Sequence, residues 1–345
     1  MATPIQNRVQ NLEKTVAELT VYGKGILAAD ESISTITKHF NEINLPCTEE
    51  TRRDYRELLF STDGLSDFIS GVILFEETLK QKSAAGMPLP QLLIAKGMVC
   101  GIKVDKGMTS LSGFVGEKIT QGLDSLAERL NEYKQLGARF AKWRAVIAIG
   151  TEIPTTQAVE ANAQALARYA AICQEQGVVP IVEPEVLMGG DHTLATCARV
   201  TEEVLHAVFH ALHQQHVALE YIVLKPSMVL PSNLYLNEVS PQEIAQATIT
   251  CLSRTVPAAV PSINFLSGGQ SEIAATINLN AMNGHEEKLP WPLSFSYGRA
   301  LQLSVLKAWR GELANKLIAQ QILYQRARLN STAVHGNYTA ALEQE

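Results

Sequence analysis

The residues with the clearest chemical potential are charged side chains that follow short apolar runs. The apolar run 221–224 reaches Lys225, which stands directly before Pro226. Because proline cannot extend a strand, this pattern predicts that Lys225 ends the strand and that its amine lies over the open end of a sheet. A lysine held partly out of water beside other cations can lose its proton and attack a carbonyl. Taken alone, the segment is more typical of a lysine that faces solvent, so its interpretation depends on the rest of the chain.

Other apolar segments of the chain also end in polar or charged residues. The candidate site residues at these ends are Asp30, Lys103, Lys142, Arg144, Glu183, Glu185, Lys225, Ser267 and Arg299. Side chains two residues apart on a strand share a side, so Lys142 can point inward with Arg144, and Glu183 with Glu185. One inward pair would be typical of a structural ion pair. Several inward charges from different strands are costly unless function uses them.

The apolar segments alternate with patterns typical of helices. The eight segments are 25–32, 71–76, 99–105, 138–144, 178–185, 221–227, 263–269 and 293–299. Such alternation implies parallel strands covered by helices. Eight units favour an α/β fold of the (β/α)8 TIM-barrel type, in which the strand ends meet on one face. An open, doubly wound sheet with a separate small domain is the alternative, because strand order cannot be read from the sequence.

No linker or low-complexity block divides the chain. We therefore predict that residues 1–345 form a single barrel domain. Apolar residues at helical spacing, among them Val9, Leu12, Val16 and Leu19, predict an N-terminal helical extension over residues 1–22, outside the main repeat. Residues 331–345 are expected to form a short C-terminal tail.

Two glycine-containing stretches after the last two predicted strands indicate an anion site. Backbone N–H groups at a helix N-terminus attract an anion, and the loops after the seventh and eighth barrel strands are a common phosphate site. A glycine turn with an ordinary helix cap is the simpler alternative. The residues concerned are Ser267, Gly268, Gly269, Ser296, Gly298 and Arg299.

A second anion site is predicted around Ser32, Thr35, Lys38 and Lys103. These residues combine hydroxyl groups near a predicted helix start with two ammonium groups. The hydroxyl groups would also be explained by an ordinary N-cap, so this site has the weaker support of the two.

Three histidines, His206, His210 and His213, repeat at a helical spacing that can hold zinc. They lie to one side of the apolar stripe of their helix, and no carboxylate or cysteine ligand is fixed beside them. We therefore prefer a solvated or subunit-facing stripe, and we predict no metal and no cofactor.

Composition and charge exclude several classes of partner. The net charge of −6 disfavours nucleic acid and anionic membranes as partners. The five cysteines form no CxxC motif, which is typical of reduced thiols. Because the sequence has no signal-peptide core and no apolar run of membrane-spanning length, we expect a cytoplasmic protein.

Together these residues resemble class I fructose-1,6-bisphosphate aldolases. The resemblance extends from about residue 23 to residue 338. The matching stretches are 25–32, 71–75, 101–107, 140–144, 181–185, 224–226, 265–270 and 295–299. Matches of this length in one order are highly specific.

The resemblance implies that Lys225 forms a Schiff base and that Asp30, Lys142, Glu183 and Glu185 are the acid–base groups around it. It also implies that Lys103 and Arg144 hold one substrate phosphate, whereas the two glycine-containing stretches hold the other. The implied reaction is the reversible cleavage of fructose 1,6-bisphosphate in glycolysis, gluconeogenesis or the Calvin cycle. Use of sedoheptulose 1,7-bisphosphate stays open. The resemblance also implies a homotetramer that needs no metal or cofactor and has sugar phosphates as its ligands.

The sequence departs from the family pattern at several points. His39 follows Lys38 where animal and plant members have an arginine that contacts substrate, and Ile33 replaces a smaller residue. The sequence also stops at Glu345 without the longer tyrosine-ended tail of animal members. We therefore expect His39 to take part in binding one phosphate with altered affinity.

Two other functions fit parts of the pattern. A metal-dependent aldolase would use zinc, for which only the histidine stripe offers ligands. A non-catalytic sugar-phosphate sensor would keep the phosphate loops but would have no use for Lys225, Glu183 and Asp30 together.

Overall fold

The computed structural model describes residues 4–285 and 288–344. Ten strands in these ranges are numbered along the chain. Eight parallel strands form a closed barrel, which confirms the predicted (β/α)8 fold, and β10 pairs with β1, so the open-sheet alternative is wrong. The barrel strands are β1 (Gly25–Ala29), β2 (Ile69–Leu74), β3 (Val99–Lys103), β6 (Phe140–Ile147), β7 (Val179–Val186), β8 (Val223–Leu224), β9 (Ile263–Phe265) and β10 (Leu293–Tyr297), and a separate hairpin consists of β4 (Met108–Ser110) and β5 (Lys118–Thr120).

Helices cover the outside of the barrel. Several begin directly after a serine or threonine whose hydroxyl accepts a backbone N–H of the first turn, for example Thr155 before α7 and Ser271 before α10. The helices are α1 (Pro4–Leu19), α2 (Ile33–Glu42), α3 (Glu49–Phe60), α4 (Glu76–Lys80), α5 (Leu89–Ala95), α6 (Leu126–Gln135), α7 (Thr156–Glu175), α8 (Leu194–Gln214), α9 (Pro241–Thr255), α10 (Glu272–Asn283), α11 (Arg299–Trp309) and α12 (Lys316–Val334).

Helix α1 packs across one end of the barrel. Its side chains Leu12, Val16 and Leu19 are buried and join an apolar cluster inside the barrel. Burial of each such side chain stabilises the fold by about 1.5–3 kcal/mol. The ring of Phe140 belongs to this cluster and lies against Gly101, where an added Cβ would come within 2.2 Å of ring carbons. This end of the barrel is therefore filled by side chains.

The strand that precedes Lys225 is short. Strand β8 ends at Leu224, so the prediction that Lys225 is its last residue is wrong by one position. The backbone N–H of Lys225 still donates a hydrogen bond of 2.8 Å to the carbonyl of Val182, which holds the lysine in the barrel wall. Strands β6 and β7 pair over their full length, with Arg144 opposite Glu183.

Helices occupy parts of both terminal segments. Helix α1 lies inside the predicted extension 1–22, of which residues 1–3 fall outside the described part of the chain. Residues 331–334 still belong to α12, so the segment expected as a tail starts inside a helix. Its last described part is a 3₁₀ turn at Ala340–Gln344, and Glu345 lies outside the described residues.

Within residues 4–285 and 288–344, no helix is both long and apolar enough to cross a bilayer.

Candidate active site

A cavity of about 530 Å³ opens where the carboxyl ends of the barrel strands meet. This is the face on which barrel enzymes place their sites. The sequence-predicted residues that line it are Asp30, Ser32, Thr35, His39, Lys103, Lys142, Arg144, Glu183, Glu185, Lys225, Ser267, Gly268, Gly269, Ser296, Gly298 and Arg299. Lys38 is exposed and is not among the residues that line the cavity, so its place in the phosphate site stays a prediction.

Four buried charged side chains form a continuous chain at the bottom of this cavity. The ammonium nitrogen of Lys225 lies 3.2 Å from Oε1 of Glu183. The ammonium nitrogen of Lys142 lies 3.2 Å from Oε2 of the same carboxylate and 2.8 Å from Oδ2 of Asp30. Each of the four side chains is at most a tenth exposed. Two cations and two anions therefore alternate in a site from which most water is excluded.

Electrostatic interactions among these four side chains determine which of them carry a proton. Burial alone would raise the pKa of Asp30 and of Glu183, but the ammonium groups of Lys142 and Lys225 outweigh it and lower both pKa values. Burial would lower the pKa of Lys142, but Asp30, Glu183 and Asp105 together raise it. Lys142 therefore stays an ammonium ion and both carboxyl groups stay ionised at neutral pH.

A second pair of cations lies on the neighbouring wall. Nε of Arg144 donates a short hydrogen bond to Glu185. Nζ of Lys103 donates to the carboxylate of Asp105 at 2.5 Å and to its backbone carbonyl at 2.8 Å. Both cations are thus held by carboxylates that orient them at the cavity wall.

Asp105 was not predicted as a site residue. It is buried, and it also accepts a hydrogen bond from the backbone N–H of Gly107. The available signal was its position two residues after Lys103. Glu31 and Ser34 also line the cavity and were likewise missed.

Hydroxyl groups gather at the N-terminus of α2. The Oγ atom of Ser32 lies 3.0 Å from that of Ser34 and 3.1 Å from Oγ1 of Thr35. The Ser32 hydroxyl also caps the helix by accepting the N–H of Thr35. The hydroxyl groups that cap α2 therefore also line the cavity, with His39 one helical turn further along the cavity wall.

The two glycine-containing stretches lie side by side after the adjacent strands β9 and β10, and β10 also pairs with β1, the strand before α2. Gly268 and Gly269 have positive φ angles of 46° and 89°, a conformation that glycine adopts without steric cost. The hydroxyl of Ser296 is buried and has no hydrogen-bond partner among the described residues. Gly298 precedes α11, and a Cβ there would lie 3.2 Å from the carbonyl oxygen of Ala28. This wall therefore combines backbone donors, a free hydroxyl and the guanidinium of Arg299.

The histidine stripe lies away from the cavity. His206, His210 and His213 are exposed on α8, and His210 contacts the side-chain amide of Gln214 at 3.0 Å. In the part of the chain that the structure describes, no group of three or more His, Cys, Asp or Glu side chains is arranged to hold a metal ion. The donor geometry therefore gives the metal-dependent alternative no site.

The fold and the cavity together define an enzyme of the (β/α)8-barrel class that presents a buried lysine between carboxylates. The chain matches the family model described as "Fructose-bisphosphate aldolase class-I" over residues 11–345. The chain therefore belongs to the class-I fructose-bisphosphate aldolase family. Its activity is that of a lyase, and the class I mechanism proceeds through a lysine Schiff base.

Relatives from distant organisms show the same similarity. The chain is 52% identical over 331 residues to "Probable fructose-bisphosphate aldolase class 1" of Xanthomonas campestris pv. campestris, with 96% of this chain and 99% of that protein covered. It is 53% identical to "Fructose-bisphosphate aldolase 5, cytosolic" of Arabidopsis thaliana, with 98% and 94% covered. A solved structure of the Plasmodium falciparum aldolase, in complex with TRAP and a small-molecule inhibitor, matches with a TM-score of 0.95 and 50% identity over 97% of this chain and 96% of that one.

Proposed function

We propose that Lys225 is the Schiff-base lysine with which this class I aldolase cleaves fructose 1,6-bisphosphate reversibly to dihydroxyacetone phosphate and glyceraldehyde 3-phosphate. One observation carries the assignment. The Lys225 side chain is only 3% exposed, it lines the cavity, and its amine lies 3.2 Å from a carboxylate that can take its proton. Lys142 is the less suitable nucleophile because contacts to two carboxylates keep it charged.

The first half of the reaction uses the Lys225–Glu183 contact. Lys225 transfers a proton to Glu183 and its neutral amine adds to the C2 ketone. The proton on nitrogen moves to the former ketone oxygen, which gives a carbinolamine. Glu183 then returns its proton to the hydroxyl group, which leaves as water, so an iminium forms and Glu183 is again ionised. Lys142 stabilises the carboxylates throughout.

The second half breaks the carbon–carbon bond. Asp30, which is ionised because its pKa is lowered, takes the proton of the C4 hydroxyl. The C3–C4 bond then breaks, its electron pair passes to the iminium as an enamine, and glyceraldehyde 3-phosphate leaves. The enamine takes a proton at C3 from water, and Asp30 returns the C4 proton to water. Water then hydrolyses the resulting iminium to release dihydroxyacetone phosphate and free Lys225.

The position of Lys225 supports a proposal for which cavity wall binds each substrate phosphate. The loop after β9 adjoins Lys225, since the N–H of Leu266 donates to the carbonyl of Pro226 at 3.1 Å. The 1-phosphate is close to C2, so we assign it to the glycine-containing wall formed by residues 267–269 and 296–299. We then assign the 6-phosphate to the wall that contains Lys103, Arg144 and the hydroxyl groups of α2.

The assembly and location are proposed from the family. We infer that residues 1–345 act as one barrel domain with the N-terminal helix as an extension, that four copies assemble, and that the enzyme is cytoplasmic. The cytosolic Arabidopsis thaliana relative supports the last point. Light scattering should give a mass of four times the 37.7 kDa chain, and a mass of one or two chains would contradict the tetramer.

Borohydride trapping tests the central assignment. Reduction in the presence of dihydroxyacetone phosphate should inactivate the enzyme and add mass to the peptide that contains Lys225, whereas treatment with EDTA should leave activity unchanged. Label on another lysine would refute the assignment, and loss of activity with EDTA would contradict the metal-free reaction.

A further inference from the structure

The C-terminal segment, residues 335–344 after α12, is connected to the two helices that follow the glycine-containing loops. A network of side-chain hydrogen bonds, here named the tail network, makes the connection. None of its members lines the cavity. The tail network consists of Glu272, Thr276, Ser304, Arg326, Tyr338 and Glu343.

Arg326 on α12 is the centre of the network and is 6% exposed. Its Nη1 donates to Oε2 of Glu343 at 2.5 Å. Its Nη2 donates to Oγ1 of Thr276 at 2.8 Å and to the backbone carbonyl of Glu272 at 3.3 Å. Charge-assisted hydrogen bonds of this kind are strong when buried, so one guanidinium fixes the C-terminal segment to the first turn of α10.

The C-terminal segment has one internal hydrogen bond and one further attachment to α10. The hydroxyl of Tyr338 donates to Oε1 of Glu343 at 2.7 Å. The backbone N–H of Tyr338 donates to Oδ1 of Asn280 on α10 at 2.8 Å. Both oxygens of the Glu343 carboxylate are therefore engaged, and the segment is held against α10.

Glu272 links the two helices to each other. It is the first residue of α10, and its carboxylate accepts hydrogen bonds from both the backbone N–H, at 3.0 Å, and the hydroxyl of Ser304 on α11. Helix α11 begins at Arg299. One carboxylate thus joins the first residue of α10 to Ser304 in the middle of α11.

We propose that Glu272, Arg326 and Glu343 are positioning residues for the 1-phosphate site. The two loops can hold one phosphate together only if their helices keep a fixed separation, and the tail network is what fixes it. The inference rests on the proposed assignment of the 1-phosphate to these loops. It adds that the C-terminal segment contributes to phosphate affinity through α10, without touching substrate.

The test compares a substrate with and without this phosphate. Rates of borohydride-trapped adduct formation are measured with dihydroxyacetone phosphate and with dihydroxyacetone for the full-length variants Glu272→Ala, Ser304→Ala and Glu343→Ala. We expect the concentration of dihydroxyacetone phosphate for half-maximal rate to rise about fivefold in Glu272→Ala and about threefold in the other two. The rate with dihydroxyacetone should be unchanged, and Glu272→Gln, which keeps an acceptor for Ser304, should restore part of the affinity.

Two further variants make the outcome decisive. Gln344→Ala changes the exposed neighbour of Glu343 and should behave as the parent. Arg299→Ala removes a proposed phosphate ligand and should weaken dihydroxyacetone phosphate selectively. If Arg299→Ala has this effect but the Glu272, Ser304 and Glu343 variants do not, the positioning role is refuted while the proposed function stands. If Arg299→Ala has no selective effect, the phosphate assignment itself fails. Equal losses with both substrates would show a merely structural role.

Discussion

Lys142 and Lys225 form a natural matched pair for separating a nucleophile from a stabilising charge. Both are buried, and each lies 3.2 Å from a different oxygen of Glu183. Replacing either one with methionine therefore removes one cation from the same carboxylate. Lys225→Met should form no reducible adduct with dihydroxyacetone phosphate. Lys142→Met should still form an adduct, but its kcat should fall about 10²- to 10³-fold, which is the effect of losing a single electrostatic stabiliser.

The structure also sets the relative effects on stability. At an effective dielectric constant of about 20, ion pairs at these distances attract by about 5–6 kcal/mol before desolvation is counted. Removing one partner of a buried pair typically costs about 3–5 kcal/mol, because the other charge stays buried. Lys142 contacts both Asp30 and Glu183, whereas Lys225 contacts Glu183. Lys142→Met should therefore be the less stable variant.

The pH dependence follows from the lowered pKa values of Asp30 and Glu183. A carboxyl group with a lowered folded-state pKa contributes stability that is present above its unfolded pKa and is lost as pH falls through the folded value. In Lys142→Met these pKa values should rise. The loss of unfolding free energy relative to the parent should thus be largest near pH 7. It should shrink as the pH falls from the raised pKa values of the variant to the lowered pKa values of the parent, below which both groups are protonated in both proteins.

Three measurements decide this prediction. Intact-mass analysis after borohydride reports the adduct, steady-state assays give kcat, and urea unfolding at several pH values gives the free energy of unfolding. An adduct that persists in Lys225→Met but vanishes in Lys142→Met would reverse the assignment. A stability difference that grows towards low pH would refute the electrostatic account.

Two further predictions concern binding and packing. His39→Arg should lower KM for fructose 1,6-bisphosphate more than for fructose 1-phosphate, since an added guanidinium on the cavity wall binds only the 6-phosphate. As a control, Lys38→Met should change neither KM. Equal effects of His39→Arg on the two substrates would place His39 away from that phosphate. Gly101→Ala should lower the free energy of unfolding by about 1–3 kcal/mol in urea titrations, because the new methyl group would overlap the ring of Phe140. Gly189→Ala, where a Cβ meets no atom within 4 Å, is the control, and equal stability of the two variants would contradict the overlap.

The strands and the strand-end charges could be predicted because their signals are local. A short apolar run followed by a charge predicts a strand and an inward side chain, as at Lys142 and Glu183. The end of the strand is not predicted by this signal, because β6 and β7 continue to Ile147 and Val186. The pairing of β10 with β1, which closes the barrel, could be inferred only from the number of strand–helix units in the sequence. The end of β8 was missed by one residue because the last ladder hydrogen bond, from Lys225, extends past the paired residues.

The exposure of Lys38 follows from helical phase. The buried face of α2 is set by Ile36 and Phe40. Thr35 and His39 each precede one of these residues, so they lie on the same side of the helix. Lys38 is rotated about 100° from His39, away from the buried face, and therefore points to solvent. The apolar pair was visible in the sequence, so the phase could have been worked out.

Helix α12 has a weak sequence signal for a different reason. Its buried face includes the polar residues Arg326, Asn330 and Ser331 in addition to apolar ones. Asn330 lies 3.0 Å from the hydroxyl of Thr276, and Arg326 donates to the same oxygen. Hydrophobic periodicity treats such residues as exposed, and only their partners on α10 reveal that they are inside.

The apolar cluster between α1 and the barrel interior gives the reaction chamber a single mouth. Among the described residues, the end opposite the cavity is filled by Leu12, Val16 and Leu19 against Phe140. In the proposed mechanism the bisphosphate, both products and the hydrolytic water therefore share the entrance at the carboxyl ends of the strands. Because the ketone fragment stays bonded to Lys225 until water hydrolyses the iminium, the aldehyde product leaves first and the ketone product last.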